Sequence, residues 1–391
     1  MTDDLRGHLD QRCFEADYAR AEDGLRARLA STAADDAWLQ GLVAGVAAPD
    51  EECARAARAR FDAAAMPLGG LGLLQEDVQR LAAALGTRDV DISARCLVVF
   101  LADNGVVAQG VSQSGQEVTA IVANNLLALS TSSCRMAACA HAPVIPVDVG
   151  MATRVRDGRL RGRAAVRGTR DITRGPALTR AQALLAVREG YIAASSCAAA
   201  GARLLAAGEM GIGNTTTASA VASVLLGRAP VEMTGRGAGL SDEGLRRKGA
   251  AIERAVALSR PAADDPLDVL AKVGGFDIAG MCGVFLGGAA CRVPVLADGF
   301  ISAVAALCAV RLCPAAAKAV LASHVSAEPA GMLLLDALRK KPLITAGMRL
   351  GEGTGAVAAM PLLDMARAVY MDCYTFEEGG IEAYTPQGGE G

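Results

Sequence analysis

The 391-residue chain has few aromatic side chains, with one Trp, five Tyr and seven Phe making up 3% of it. A core without large rings must be filled by Ala, Val, Leu and Gly, which lets helices sit close on a sheet. Histidine occurs only as His8, His141 and His324, which argues against a multi-histidine metal site. No run of about 20 apolar residues is free of charge and glycine, so no membrane-spanning helix is expected. The polar, charged start from Met1 to Arg12 does not resemble a secretory leader. Eleven cysteines include no C-x-x-C pair. The closest pairs, Cys134 with Cys139 and Cys308 with Cys313, sit in alanine-rich runs and read as buried small hydrophobes. Together these features point to a reduced, cytoplasmic protein. Lys plus Arg number 39 against 42 Asp plus Glu, a formal charge of −3, which excludes non-specific nucleic-acid binding as the main activity. An apolar content of 52% at so low a net charge excludes a disordered chain.

What is present is an alternating pattern. Residues 1 to about 65 carry apolar positions at helical spacing, among them Leu25, Leu29, Trp38, Leu39 and Leu42. Pro67 to Gly72 read PLGGLG, a turn before a helix expected over Gln75 to Leu85. Four short apolar runs follow, each meeting a polar or glycine-bearing loop: Cys96–Leu101, Val144–Val149, Leu204–Glu209 and Val293–Asp298. Strand, polar loop and alanine-rich helix in alternation predict an α/β fold with a parallel sheet covered on both faces. In such sheets ligands bind beyond the carboxyl ends of the strands. Arg154 to Arg174 holds eight arginines against two aspartates; it reads as a solvated loop or hairpin, with a phosphate or polyanion patch as the alternative. The tail from Thr385 to Gly391 is Gly-rich and expected to fray.

The loops carry the chemistry. Gly208-Glu-Met-Gly-Ile-Gly-Asn-Thr-Thr-Thr217 combines glycines, hydroxyls and a helix start, which suits a phosphate, although the Gly-Lys-Ser/Thr ending of a P-loop is absent. A capped helix start is the competing reading. Arg349-Leu-Gly-Glu-Gly-Thr-Gly355 puts a carboxylate on a turn with little neighbouring bulk, as a general base requires; a surface glutamate is the alternative. Ser323-His-Val-Ser-Ala-Glu328 lacks the nucleophile elbow of a hydrolase. Ala297-Asp-Gly-Phe-Ile-Ser302 follows a strand. Thr234-Gly-Arg-Gly-Ala-Gly239 precedes a basic helix with Arg246, Arg247 and Lys248. No Gly-x-Gly-x-x-Gly turn follows the first strand, so a Rossmann oxidoreductase is disfavoured.

Taken together with Ala102-Asp-Asn-Gly-Val106, Gly274-Gly-Phe-Asp-Ile278 and Met348 to Ala356, these segments resemble, in order and spacing, the nicotinate-nucleotide:dimethylbenzimidazole phosphoribosyltransferase family over about residues 60 to 380. The resemblance implies transfer of phosphoribose from nicotinate mononucleotide to an aromatic base for cobalamin nucleotide-loop assembly, with inversion to an α-ribotide and release of nicotinate. It implies Glu352 as proton acceptor, with Glu209 beside it. It assigns Gly211, Asn214, Thr215, Thr216, Lys248, Asp298, Ser323, Arg349 and Gly351 to the nucleotide. It assigns Asp103, Ser114, Val122, Met210 and Leu350 to the base. No metal or cofactor is implied. The implied fold is a Rossmann-like sheet with a smaller helical domain from both chain ends: residues 1–90 mainly helical, 91–360 the large domain, 361–391 a C-terminal helix and tail. A homodimer is implied, with small-molecule substrates and neither nucleic acid nor membrane as partner.

The departures from the family lie on the base side. Asn104 stands where the family has His, Met66-Pro-Leu-Gly-Gly-Leu-Gly72 loses a lysine and a serine, Ser114-Gly115 replaces Ser-Pro, and Val122 stands where some members have glutamine. An apolar Val122 predicts a broad acceptor range that favours apolar azoles over purines. Dimethylbenzimidazole, adenine, another benzimidazole or a phenol all remain as acceptors, and a non-catalytic nucleotide-binding paralogue is the remaining alternative.

Overall fold

The computed structural model describes residues 9–164 and 166–385. His8 and the tail beyond Thr385 lie outside them. One parallel sheet is built from β1 (Arg95–Ala102), β2 (Val144–Gly150), β3 (Leu204–Met210), β4 (Val295–Ala297) and β5 (Val320–Ala322), in the order β2-β1-β3-β4-β5. β1 to β4 fall on the four expected runs, with β4 shorter than its run. β5 has no counterpart among the expected strands, because three apolar residues carry no period of their own.

All of β1 and β2 is buried, which explains runs without alternation. Their side chains still alternate between two cores. Cys96, Val98, Phe100 and Ala102 join one, with helices Arg180–Ala199, Asn214–Leu226, Phe276–Ala290 and Phe300–Leu312. Leu97, Val99 and Leu101 join the other, with helices Glu51–Ala63, Leu73–Leu85, Glu117–Leu127, Ser132–Cys139 and Thr354–Asp372.

The first core depends on small residues. Helices Arg180–Ala199 and Phe276–Ala290 cross in backbone contact. A Cβ on Gly190 would stand 1.8 Å from the Gly280 carbonyl oxygen, and one on Gly283 would stand 1.9 Å from that of Val187. This is how a chain with few aromatics fills its interior: close backbone approach replaces side-chain volume.

The chain ends attach to both layers. Helix Gln11–Leu29 packs on Arg180–Ala199 and buries Phe14 and Tyr18 in the first core. Its Gln11 amide donates to the Val144 carbonyl (2.9 Å) and accepts from the Val144 N–H (2.8 Å), which fixes the sheet edge. Its Arg26 pairs with Glu22 and, at 2.5 Å, with Glu189. Glu51–Ala63 and Thr354–Asp372 meet through Phe61 and Tyr370, whose ring centroids are 5.3 Å apart. Ala64 and Thr375 form an antiparallel bridge there. The arginine-rich segment is a loop, as expected, with Arg159, Arg167 and Arg174 paired to Asp157, Asp148 and Asp171.

Replacing Gly283 by Ala places a methyl group against a helix carbonyl. The variant is expected to lose about 1–3 kcal/mol, read as a lower urea midpoint with an unchanged slope. A midpoint equal to that of the parent would show that the two helices do not touch there.

Candidate active site

β1 has β2 on one side and β3 on the other, so the chain leaves their carboxyl ends in opposite directions and a crevice opens between them. Loops from four strands surround a cleft of about 190 Å³. Its walls are Val111–Gln113 after β1, Glu209–Thr215 at the end of β3, Asp298–Ser302 after β4, and His324, Ser326 and Glu328 after β5. Arg236–Ala238, Leu240 and Arg349–Glu352 complete them.

Glu352 sits on a turn of three successive left-handed residues, with φ of +86° at Gly351, +56° at Glu352 and +81° at Gly353. Glycine tolerates this region. A glutamate there stores about 1–2 kcal/mol of strain, so the surroundings must hold it. Three contacts do so. Gly208 of β3 lets the turn lie on the strand, since a Cβ there would be 2.6 Å from the Glu352 carbonyl carbon. The Asp298 carboxylate accepts the N–H groups of Gly353, Gly355 and Ala356 at 3.1, 2.6 and 3.1 Å. It thereby caps helix Thr354–Asp372, which has no side-chain cap of its own. The Ser133 hydroxyl donates to Glu352 Oε2 at 2.8 Å. Burial raises the Asp298 carboxyl, and His324, 3.8 Å away, and the three amides pull it back.

Opposite lies the start of helix Asn214–Leu226. It begins at Gly213 (φ +94°) with no side-chain cap, so its dipole faces the cleft unshielded. The Asn214 amide donates to Glu209 Oε2. Burial, then the nearby Asp277 and Asp298, push the Glu209 carboxyl well above the usual range. Asp277, fully buried, is pushed up by burial to about 6 against the Asn214 amide. Lys248, on helix Asp242–Ser259, is also fully buried, with Nζ donating to Thr215 Oγ1 (2.9 Å) and to the Gly235 carbonyl (3.0 Å). Burial lowers it to about 8, and Glu328 opposes that shift.

Of the residues anticipated from sequence, Glu209, Met210, Gly211, Asn214, Thr215, Asp298, Arg349, Leu350, Gly351 and Glu352 line the cleft. Others stand behind it. Thr216 is buried with its hydroxyl unpartnered, and Lys248 lies under Thr215. The Ser323 hydroxyl is committed to the carbonyls of Ala297 (2.7 Å) and Asp298 (3.1 Å), and Ser326 is the serine of that segment on the wall. Asp103 is buried, accepting from Thr119 (2.6 Å) and the Ala152 N–H (2.7 Å). Ser114 is exposed on the loop that carries Val111–Gln113. Val122 is half-buried and packs on the second core, away from the cleft lining. Gly211 is glycine for a reason other than ligand approach: a Cβ would stand 2.2 Å from the Ala102 carbonyl oxygen of β1. Sequence reasoning missed Ser133, which starts an ordinary Ser-rich helix. It passed over Asp277 as a site residue, although Gly274 to Ile278 had marked its segment.

A parallel sheet with a switch-point cleft, a carboxylate poised on a strained turn and an uncapped helix start opposite define a group-transfer site for an anionic ligand. A family model described as Phosphoribosyltransferase (DBI_PRT) matches residues 46–381, and the chain belongs to that family. It is 43% identical over 328 residues to the nicotinate-nucleotide–dimethylbenzimidazole phosphoribosyltransferase of Acetivibrio thermocellus, covering 84% of this chain and 93% of the relative. It is likewise 43% identical over 335 residues to the enzyme of that name from Ruminiclostridium cellulolyticum, covering 86% and 95%. Among solved structures it resembles CobT from Thermus thermophilus at 40% identity and a TM-score of 0.81, covering 85% of this chain and 99% of that one.

Asp298→Asn presents an NH₂ group where three backbone donors now share a carboxylate. Unsatisfied buried donors cost about 1–3 kcal/mol, so the variant is expected to melt earlier and to be cleaved sooner by protease within residues 349–353. Unchanged melting and cleavage would remove Asp298 as the anchor of the turn.

Proposed function

We infer that this protein transfers the phosphoribosyl group of nicotinate mononucleotide to 5,6-dimethylbenzimidazole, yielding the α-ribotide and nicotinate for cobalamin nucleotide-loop assembly. The observation that carries the site chemistry is the Glu352 carboxylate, held at the cleft on its Gly-Glu-Gly turn beside buried Glu209 and across from the start of helix Asn214–Leu226. The nucleotide's phosphate fits the start of that helix, which no side chain caps. The Lys248 ammonium beneath Thr215 and the Arg349 side chain on the wall add positive charge, whereas Arg236 is paired with Asp242. The ribose then lies beside Glu209 and Asp298 on the cleft wall, with Asp277 buried near Glu209. Carboxylate oxygens turned toward the sugar stabilise positive charge on it as its bond to the pyridinium lengthens. Nicotinate leaves with a neutral ring nitrogen. As one azole nitrogen bonds to the anomeric carbon, the N–H on the other becomes acidic, and Glu352 takes that proton. Met210 and Leu350 supply apolar surface for the base.

No helix among the described residues is long and apolar enough to cross a membrane. We propose a cytoplasmic homodimer that acts on small molecules and not on nucleic acid, with helices Glu51–Ala63, Leu73–Leu85 and Thr354–Asp372 as the core of the smaller helical domain. Light scattering at working concentration tests the dimer.

Three measurements test the reaction. With nicotinate mononucleotide and a panel of bases, mass spectrometry should find the ribotide of dimethylbenzimidazole; no ribotide with any base would end the reading. Glu352→Gln should lower kcat about 100- to 10,000-fold with nucleotide affinity retained, and near-normal turnover would remove Glu352 as the base. The third follows from Lys248. Its folded-state pKa of about 8 lies below the ordinary 10.5, so the ammonium that attracts phosphate is present below about pH 8 and lost above it. Calorimetric affinity for the nucleotide should hold up to about pH 8 and then fall, and Lys248→Met should bind weakly without that fall. An identical high-pH decline in the variant would exclude Lys248.

A further inference from the structure

Glu352 is bound from behind by a chain of hydroxyls that nothing in the transfer chemistry assigns. Ser133, fully buried in the first turn of helix Ser132–Cys139, donates to Glu352 Oε2 at 2.8 Å. Thr131, the N-cap of that helix, lies with its Oγ1 2.9 Å from Ser133 Oγ and accepts the Cys134 N–H at 3.2 Å. A hydroxyl carries one hydrogen and an ionised carboxylate carries none. Ser133 therefore gives its hydrogen to Glu352, Thr131 gives its own to Ser133, and a helix amide gives its hydrogen to Thr131. Every donor in the chain points toward the carboxylate, and the order cannot reverse while Glu352 is ionised.

The arrangement fixes more than charge. Glu352 stands on a left-handed turn between two glycines, where its backbone position alone leaves the side chain free to rotate. With Oε2 committed to Ser133, Oε1 is the oxygen left to take a proton from a base in the cleft. We propose that Ser133, oriented by Thr131, is a positioning residue for the reaction, holding Glu352 as an ionised base with Oε1 turned to the acceptor. The proposal rests on the reading of Glu352 as proton acceptor.

The geometry also explains why a buried polar group is tolerated here. A serine hydroxyl with no partner would be costly at zero exposure. This one is satisfied on both sides, by Thr131 and by Glu352. The titratable groups that sense Glu352 from the surrounding elements are Glu209 on β3 and Cys134, one residue beyond Ser133.

The test compares Ser133→Ala, the near-isosteric Ser133→Cys and Glu352→Gln, with Ser133→Ala also made in the Glu352→Gln background. A hydrogen bond to a charged group is worth about 1.5–3 kcal/mol, which converts to roughly a 10- to 100-fold lower kcat for Ser133→Ala. The Michaelis constant for nicotinate mononucleotide should not change, and the acid side of the kcat profile should move to higher pH, because a donor that favours the ionised form has been lost. Ser133→Cys, a weaker donor, should lie between, and it supplies the reading if the alanine variant is poorly folded. In the Glu352→Gln background Ser133→Ala should cost little more, since the two act as one unit. If kcat and its pH profile are unchanged in both serine variants while Glu352→Gln is inactive, Ser133 has no positioning role and the reading of Glu352 stands. If Ser133→Ala costs the same factor with and without the Glu352 carboxylate, its effect is structural and the proposal fails. If Glu352→Gln turns over normally, the proton-acceptor reading fails first, whatever Ser133 does.

Discussion

The site hangs on one buried carboxylate. Asp298 leaves β4 and accepts three backbone N–H groups from the start of helix Thr354–Asp372. An aspartate in that position does the work of an N-cap from another part of the chain. It joins two elements more than fifty residues apart, sets the register of the Gly351–Gly353 turn and so decides where Glu352 stands. His324 lies against the same carboxylate, and Gly355 is required beside it, since a Cβ there would be 1.8 Å from the His324 ring. Strand end, helix start and left-handed turn are thus consequences of one charge and its partners.

Carboxyls gather at the cleft, Glu209 and Asp298 on its wall and Asp277 buried behind it. Glu209, Asp277 and Asp298 are all buried and all raised by burial, with Glu209 raised further by the other two. Alone, such a cluster destabilises a fold. Raised pKa values let such groups relieve the repulsion by holding protons. The helix start at Asn214 and the buried Lys248 provide the opposite field a short way off.

Both features need a rigid frame made from small side chains. Gly190 and Gly283 let two helices touch backbone to backbone, and Gly211 lets the loop after β3 pass the Ala102 carbonyl. That last contact changes the meaning of a familiar motif. The glycine reads in sequence as room for a phosphate, yet its immediate neighbour is the protein's own strand. Glycine-rich loops report close approach without saying what approaches.

The sequence by itself determined the class of fold and, through its resemblance to a family, the class of reaction. Four apolar runs with polar ends gave the strands, because a strand buried on both faces leaves a continuous signature. The Gly-Glu-Gly turn stood out as a carboxylate with little neighbouring bulk, but pattern left a surface glutamate equally open, and its reading as a base came from the family resemblance. The tertiary structure decided what depends on residues far apart in the chain. β5 is three residues that become a strand only beside β4. Ser323 and Ser326 are alike in sequence, and only the packing of the β4 and β5 ends commits the first to carbonyls and turns the second to the cleft. Val122 belongs to the second core because its helix lies over the sheet there. Ser133 reaches Glu352 across 219 positions of sequence. Local pattern records what a segment buries and how it turns, but which side chains meet is fixed only when separate segments share the same space.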